Sequence, residues 1–198
     1  MADFVIVVDT QYDFMAADGA LSVTGAHDLV APAQAWLASL DPAQTSGVLF
    51  TFDTHVADVY ASSAEAEAFP IHCVRGTAGW NNVIGVEHVN SAIPVWTVEK
   101  GVFDMWAEDD LVIADARDAQ AAPIPREPFF AQLKAAGVED VVVIGVAADY
   151  CVRWAIDGLI QRGFRVTVPA ALTRGIERQI EHVAAQDFAD APLTVVST

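Results

Sequence analysis

The stretch VVVIGVAADYCVRWAIDGLIQRGFRVTV, Val141–Val168, decides the fold. Val141–Val146 is apolar, rich in β-branched residues and without alternation, the pattern of a strand buried on both faces. Tyr150–Gln161 carries apolar residues at helical spacing and is closed by Gly163, and Arg165–Val168 is a second β-branched run. Strand, helix and strand within roughly thirty residues form the unit that builds parallel sheets.

The same alternation extends outward. Phe4–Val8 (FVIVV), Val48–Phe52, Ile93–Val98 and Leu193–Val196 read as further strands. Asp28–Leu40 sets Leu29, Val30, Ala33, Trp36, Leu37 and Leu40 on one helical face. Arg126–Ala136 makes a helix ending at Gly137, and Ile176–Gln186 another. The expected fold is α/β: one domain over residues 1–198, Rossmann-like and three-layered, with a mainly parallel sheet of about six strands covered by helices on both faces. Asp53–Val89 and Gly101–Pro125 break the alternation. Both follow strands, so they read as long functional loops at the edge where such sheets bind ligands.

Composition excludes several classes. The 198 residues carry 27 acidic and 10 basic side chains, a formal charge of −17. No Lys or Arg precedes Arg75, whereas ten Asp and Glu do, which argues against nucleic acid and anionic membrane as partners. A hydrophobic fraction of 54% excludes disorder. Two cysteines, Cys73 and Cys151, are too few for a disulfide framework. The N-terminal MADFVIVVDTQYDF lacks a basic n-region, and its apolar run stops at Asp9. A cytoplasmic protein is expected.

Three reactive side chains fall at the carboxyl ends of three expected strands: Asp9 after FVIVV, Lys100 after VWTVE and Cys151 after VVVIGV. In a parallel sheet those ends share one rim. At a helix start the dipole and free amides favour thiolate at Cys151, a nearby Lys100 favours it further, and Asp9 could accept the thiol proton. Each residue has an ordinary role by itself: Cys151 as a small core residue, Asp9 as a turn cap, Lys100 as a surface lysine. Their coincidence at one rim points to chemistry. A second set is Asp53 and His55, at i and i+2 beyond a strand, followed by Glu65 and His72. Imidazole with carboxylate suits Zn²⁺, Mn²⁺ or Fe²⁺, although such groups also occur as solvated loop residues. Cys73 reads as a buried neighbour of that loop, and His27, His88 and His182 have no partner spacing. Phe14, Phe69, Phe103 and Trp106 cluster near the same loops, as core packing or as a flat apolar pocket.

These segments resemble the cysteine-hydrolase branch of the isochorismatase-like family, and within it the nicotinamidase group. VVDTQYDF (Val7–Phe14) is similar to V-D-x-Q-x-D-F. FDTH (Phe52–His55) and FPIHCVRGTAGW (Phe69–Trp80) resemble the metal loop and its H-C-x-x-G-T segment, and Gly145–Val168 resembles the G-V-A-T-D-Y-C-V block. The likeness runs from Val7 to about Gly175. It implies a catalytic triad of Asp9, Lys100 and Cys151. It also implies one divalent ion held by Asp53, His55 and His72, with Glu65 as the variable fourth ligand. The resemblance further implies a cis peptide at Val146–Ala147, an oxyanion hole of the Ala147 and Cys151 amides, and pocket walls at Phe14 and Phe69. The segment after the lysine, KGVFDMWAED, lacks the usual Y/H-S-A-F pattern, and Trp106 is expected to replace the missing aromatic.

The activity so implied is hydrolysis of nicotinamide to nicotinate and ammonia through a cysteine thioester, in NAD salvage. The alternative is another carboxamide or ureido hydrolase of the family, of maleamate, carbamoylsarcosine or ureidoacrylate type, metal-free in some members. The partner is a small carboxamide, and homo-oligomerisation is left open.

Overall fold

A computed structural model describes residues 3–63 and 65–197. The chain runs β1 (Asp3–Val8), α1 (Tyr12–Met15), α2 (Val30–Ala38), β2 (Thr45–Asp53), α3 (Ala57–Tyr60), β3 (Val95–Lys100), β4 (Val112–Asp115) and β5 (Ile124–Pro125). It continues through α4 (Arg126–Ala135), β6 (Asp140–Val146), α5 (Cys151–Gln161), β7 (Arg165–Pro169), β8 (Thr173–Arg174), α6 (Ile180–Asp187) and β9 (Leu193–Val196), with short 3-10 turns between elements.

The strands form one sheet in the order β5-β4-β3-β2-β1-β6-β7-β9, with β8 beside β6. β1 is parallel to both β2 and β6, and β2–β3, β6–β7 and β7–β9 are also parallel. The chain winds outward from β1 through β2 to β3, then returns to the other side of β1 with β6. The reversal of winding therefore lies between β1 and β6. Ligands of open α/β sheets sit in the crevice beyond the carboxyl ends of such strands.

Alternate residues of the central strands serve two cores. Phe4, Ile6 and Val8 pack with Val141 and Val143 against Phe129, Ile156 and Val183 of α4, α5 and α6. Val5, Val7, Ile144 and Val146 face the opposite layer with Leu29, Ala33 and Leu37. Helix α5 buries Cys151, Val152, Ala155, Ile156 and Leu159, the one-sided stripe seen in the sequence. Gly163, in the left-handed region at φ 79°, turns the chain into β7.

The structure departs from the sequence expectation in three places. The Gly101–Pro125 segment is not wholly a loop: β4 pairs antiparallel with β3 and β5 antiparallel with β4, setting Val98 opposite Ile113 and Ile113 opposite Ile124. With β8 they bring the strand number to nine among the described residues. These strands are two to four residues long, too short to show periodicity. The Asp28–Leu40 helix divides into a 3-10 turn, Ala26–Leu29, and α2. The last helix begins at Ile180 rather than Ile176, because the amides of Ile176, Glu177 and Arg178 all donate to the Asp149 carboxylate.

Gly145 is the tightest point of the central pairing. It stands opposite Val8 at φ 111°, and a Cβ there would lie 2.1 Å from the Val8 carbonyl oxygen. That backbone region costs a residue with a side chain about 1–3 kcal/mol, before the clash is counted. Gly145→Ala is therefore expected to lose at least about 2 kcal/mol. Urea unfolding should show a lower midpoint at unchanged slope, and an unchanged midpoint would contradict the packing described.

Candidate active site

Four strand ends meet at the switch point. Asp9 follows β1 directly with φ 46°, Asp53 closes β2, Lys100 closes β3 in register with Asp53, and Cys151 opens α5 after β6. The Lys100 ammonium lies 2.8 Å from Asp9 Oδ2 and 3.4 Å from Asp53 Oδ1. It donates to Cys151 Sγ at 3.5 Å. The Thr51 hydroxyl donates to Asp9 Oδ1 at 2.5 Å and accepts from the Asp9 amide at 3.1 Å, which fixes the carboxylate against β2.

Burial governs the electrostatics. It works against the Lys100 charge, but Asp53 and Asp9 outweigh it and hold the ammonium well above the ordinary lysine value. For Cys151 burial comes first and Asp9 second, both pushing the thiol up, while Lys100 pulls it down. The net direction is upward. The helix start and the lysine that favour thiolate are both present, yet desolvation and the neighbouring carboxylate outweigh them, which leaves a proton for Asp9 to accept. Burial and the Asp9 charge thus favour the neutral thiol at Cys151.

Beside this trio stands the second expected set. Ligand atoms of Asp53, His55, Glu65 and His72 all lie within 4.8 Å of one another, and none of the four residues is more than 7% exposed. His55 Nε2 and His72 Nε2 each lie 3.0 Å from Asp53 Oδ2, and His55 Nε2 is 3.2 Å from Glu65 Oε2. The His72 Nδ1–H donates to the Pro70 carbonyl at 2.8 Å, so its Nε2 presents a lone pair inward. Glu65 Oε2 is buried without a hydrogen-bond partner among the described residues. Burial opposes a charge on His55, but Asp53 and Glu65 push its pKa up to about 9. Two inward imidazoles, two carboxylates, an orphaned oxygen and a site that draws in a proton fit a divalent cation.

Neighbouring residues that were not marked as functional in the sequence hold these groups. Gln11, fully buried, pairs with the backbone of Asp53 as a strand would: the Asp53 amide donates to its Oε1 at 2.8 Å, and its Nε2 donates to the Asp53 carbonyl at 2.7 Å. The same Nε2 donates to the Trp80 carbonyl at 3.0 Å. Asp13 Oδ2 accepts from the Cys73 amide at 2.7 Å, fixing the turn that carries His72. The spacing in VVDTQYDF was visible, but a glutamine that pairs with backbone leaves no chemical signature of its own.

The Val146–Ala147 peptide is cis, and among the described residues neither the Ala147 nor the Cys151 amide has an acceptor. Phe14 packs on His72, with ring centroids 5.2 Å apart. Phe69 meets Phe103 and Tyr150 edge-on at 5.5 and 5.4 Å, and those two meet each other at 5.3 Å. Trp106 does not join this wall. Its ring lies against Phe130 and under the Arg162 guanidinium, and its Nε1 donates to the Trp154 carbonyl. The place expected of Trp106 is taken by Phe103 and Tyr150, because the chain after Phe103 turns back onto α4 and α5.

The isochorismatase domain family matches residues 125–198. Over 195 residues the chain is 28% identical to the nicotinamidase/pyrazinamidase of Mycobacterium tuberculosis (strain ATCC 25618 / H37Rv), covering 97% of each protein. Among solved structures it resembles the pyrazinamidase of Pyrococcus horikoshii in complex with zinc, at 24% identity, full coverage of both chains and a TM-score of 0.71. PnC1 of L. infantum in complex with nicotinate is similar at 24% identity and a TM-score of 0.71, covering 98% of this chain and 92% of that one.

Gln11 provides a test of the scaffold. Replacing a group that orients a metal ligand typically costs about 10- to 100-fold in metal affinity. Gln11→Ala is expected to weaken Zn²⁺ binding by that factor in a folded protein, read by competition with a chromophoric chelator. Unchanged affinity would show that Asp53 is held without it.

Proposed function

We propose that this chain, a member of the isochorismatase-like family, is a nicotinamidase that hydrolyses nicotinamide to nicotinate and ammonia through a thioester on Cys151. The observation that carries the reading is the buried contact of Lys100 with Asp9, Cys151 and Asp53, which joins a cysteine nucleophile to a four-ligand group. The likeness to a nicotinamidase/pyrazinamidase over nearly its full length supports the same activity. The reading carries with it a cytoplasmic enzyme of NAD salvage acting on a small carboxamide. No helix among the described residues is long and apolar enough to cross a membrane.

The neutral thiol sets the order of events. Asp9, which meets the same Lys100 ammonium that donates to Cys151 Sγ, takes the thiol proton as Sγ attacks the carboxamide carbon. The carbonyl electrons move onto oxygen, which the free Ala147 and Cys151 amides receive, each such donor contributing about 3 kcal/mol. Asp9 returns its proton to the amide nitrogen as the C–N bond breaks, and ammonia leaves. A water then attacks the thioester and gives its proton to Asp9. The C–S bond breaks, and the thiol regains a proton from the same carboxylate. Throughout, the Lys100 ammonium beside Asp9 and Sγ offsets the negative charge that moves between them.

Asp53, His55, Glu65 and His72 would hold one divalent ion, Zn²⁺, Mn²⁺ or Fe²⁺. When bound, such an ion offers a Lewis-acid position to the ring nitrogen of the substrate or to a water. Phe14, Phe69, Phe103 and Tyr150 supply flat apolar surface for a planar ring.

Turnover of nicotinamide, followed by ammonia release, is expected to fall about 10⁴-fold or more in Cys151→Ala with the melting temperature little changed. Asp9→Asn separates two roles of that carboxylate. It should lower kcat by about 10²- to 10⁴-fold, because no base remains. It should also lower the thiol pKa, since the Asp9 charge raises it, so iodoacetamide alkylation of Cys151 becomes faster at neutral pH. Slower alkylation or near-normal kcat would overturn the assignment of Asp9. Chelation should raise KM for nicotinamide while Cys151 stays alkylatable. If maleamate or ureido compounds are hydrolysed instead and metal has no effect, the chain is one of the other hydrolases of the family.

A further inference from the structure

Glu65 touches more than the ligand group. Its Oε2 is the buried oxygen without a hydrogen-bond partner beside His55, whereas its Oε1 accepts from the Phe103 amide at 2.9 Å. Its own carbonyl accepts from the Phe69 amide, also at 2.9 Å. The two phenylalanines of the ring cluster, distant in sequence, are thus both hung from one residue. Tyr150, beside Cys151, completes the cluster by ring contact alone.

Among the described residues only His55, at 3.2 Å, stands beside that oxygen, without hydrogen-bond geometry. A cation among Asp53, His55, Glu65 and His72 would compensate it more fully, and its loss would favour rotation of Glu65 toward water, where both oxygens are solvated. Such a rotation breaks the bond to Phe103. The Gly101–Asp110 segment has other anchors: the Gly101 amide donates to Glu108 Oε2, and Arg126 donates to the carbonyls of Met105 and Glu108. These hold the segment on either side of Phe103, whose one backbone hydrogen bond among the described residues is to Glu65, its ring being held by the cluster and the edge of the core.

We propose that Glu65 couples metal occupancy to the pocket wall: with the ion bound it holds Phe103 in the ring cluster, and without it Phe103 is released. This rests on the metal-assisted reading above and adds a specificity-determining role for Glu65 and Phe103. The ion then shapes the site for any planar carboxamide, whether or not the substrate has a ring nitrogen to coordinate.

Amide hydrogen exchange on the full chain tests it, with Zn²⁺ alone as the probe. In wild type the Phe103 amide should exchange at least tenfold faster after chelation, while amides of the central strands at Ile6 and Val143 keep their protection. In Glu65→Ala, with bound zinc verified by metal analysis, Phe103 should exchange at the fast rate even in the presence of metal. Protection of Phe103 that ignores zinc in wild type, or that persists in metal-loaded Glu65→Ala, overturns the proposal. Should the variant not fold or not bind zinc, the wild-type comparison decides by itself. A wild type that binds no zinc overturns this inference together with the metal half of the functional reading. Metal-dependent protection in a protein that hydrolyses no amide supports the coupling and overturns only the amidase.

Discussion

The Lys100 ammonium is the interaction on which the rest of the site depends. It is fully desolvated, and it contacts two buried carboxylates from two other strand ends. Each buried ion costs several kcal/mol to desolvate, which is offset only by close opposite charge and satisfied hydrogen bonds. Without the lysine, Asp9 and Asp53 would face each other uncompensated. With it, Asp9, Asp53 and Glu65 against one ammonium still leave two formal negative charges when the histidines are neutral. That surplus is why His55 is driven to hold a proton, and why one divalent cation would bring the ensemble to neutrality. Asp53 is the hinge of this balance, with Oδ1 turned to the lysine and Oδ2 to both imidazoles.

Such a charge cluster needs a stiff frame, and the sheet provides it. Asp53 and Lys100 are register partners on adjacent parallel strands, so their separation is set by the ladder and not by loop conformation. Asp9 is bound to β2 through Thr51, and two residues later Gln11 grips the backbone of Asp53. The segment after β1 therefore carries Asp9 and at the same time fastens Asp53. Asp149 does similar work after β6, where its carboxylate takes three successive amides and fixes the turn before α6 close to Cys151.

How much of this was legible in the sequence follows from how local each signal is. The long apolar runs at Phe4–Val8 and Val141–Val146 announced themselves, and with them the rim on which Asp9, Lys100 and Cys151 meet. The short edge strands β4 and β5 did not, because their pairing with β3 rests on tertiary contact rather than on any pattern of their own. Among site residues, those with reactive side chains were visible by type, and the structure brings all seven together. Gln11 was not, since its work is backbone pairing. Trp106 was expected to replace the aromatic missing from the segment after Lys100, an expectation that rested on position in the sequence alone. Only the fold shows it wedged between Phe130 and Arg162, with Phe103 and Tyr150 beside Phe69 instead.

The neutral state of Cys151 decides what kind of nucleophile this site can hold. A thiolate stabilised at a helix start would attack without a base, but it would also react with any electrophile that reached it. Here the order of forces is reversed. Burial and the Asp9 charge keep the proton on sulfur, and the lysine, shared with Asp9 and Asp53, is not strong enough to remove it. In the proposed mechanism ionisation is tied to transfer onto Asp9 as a carbon electrophile is presented to Sγ. The proton then stays in the site: it waits on Asp9 and is given to the departing nitrogen, and the water of the second step replaces it. The Lys100 contact with both Asp9 and Sγ places one ammonium beside either atom, so negative charge on one or the other is answered by the same cation.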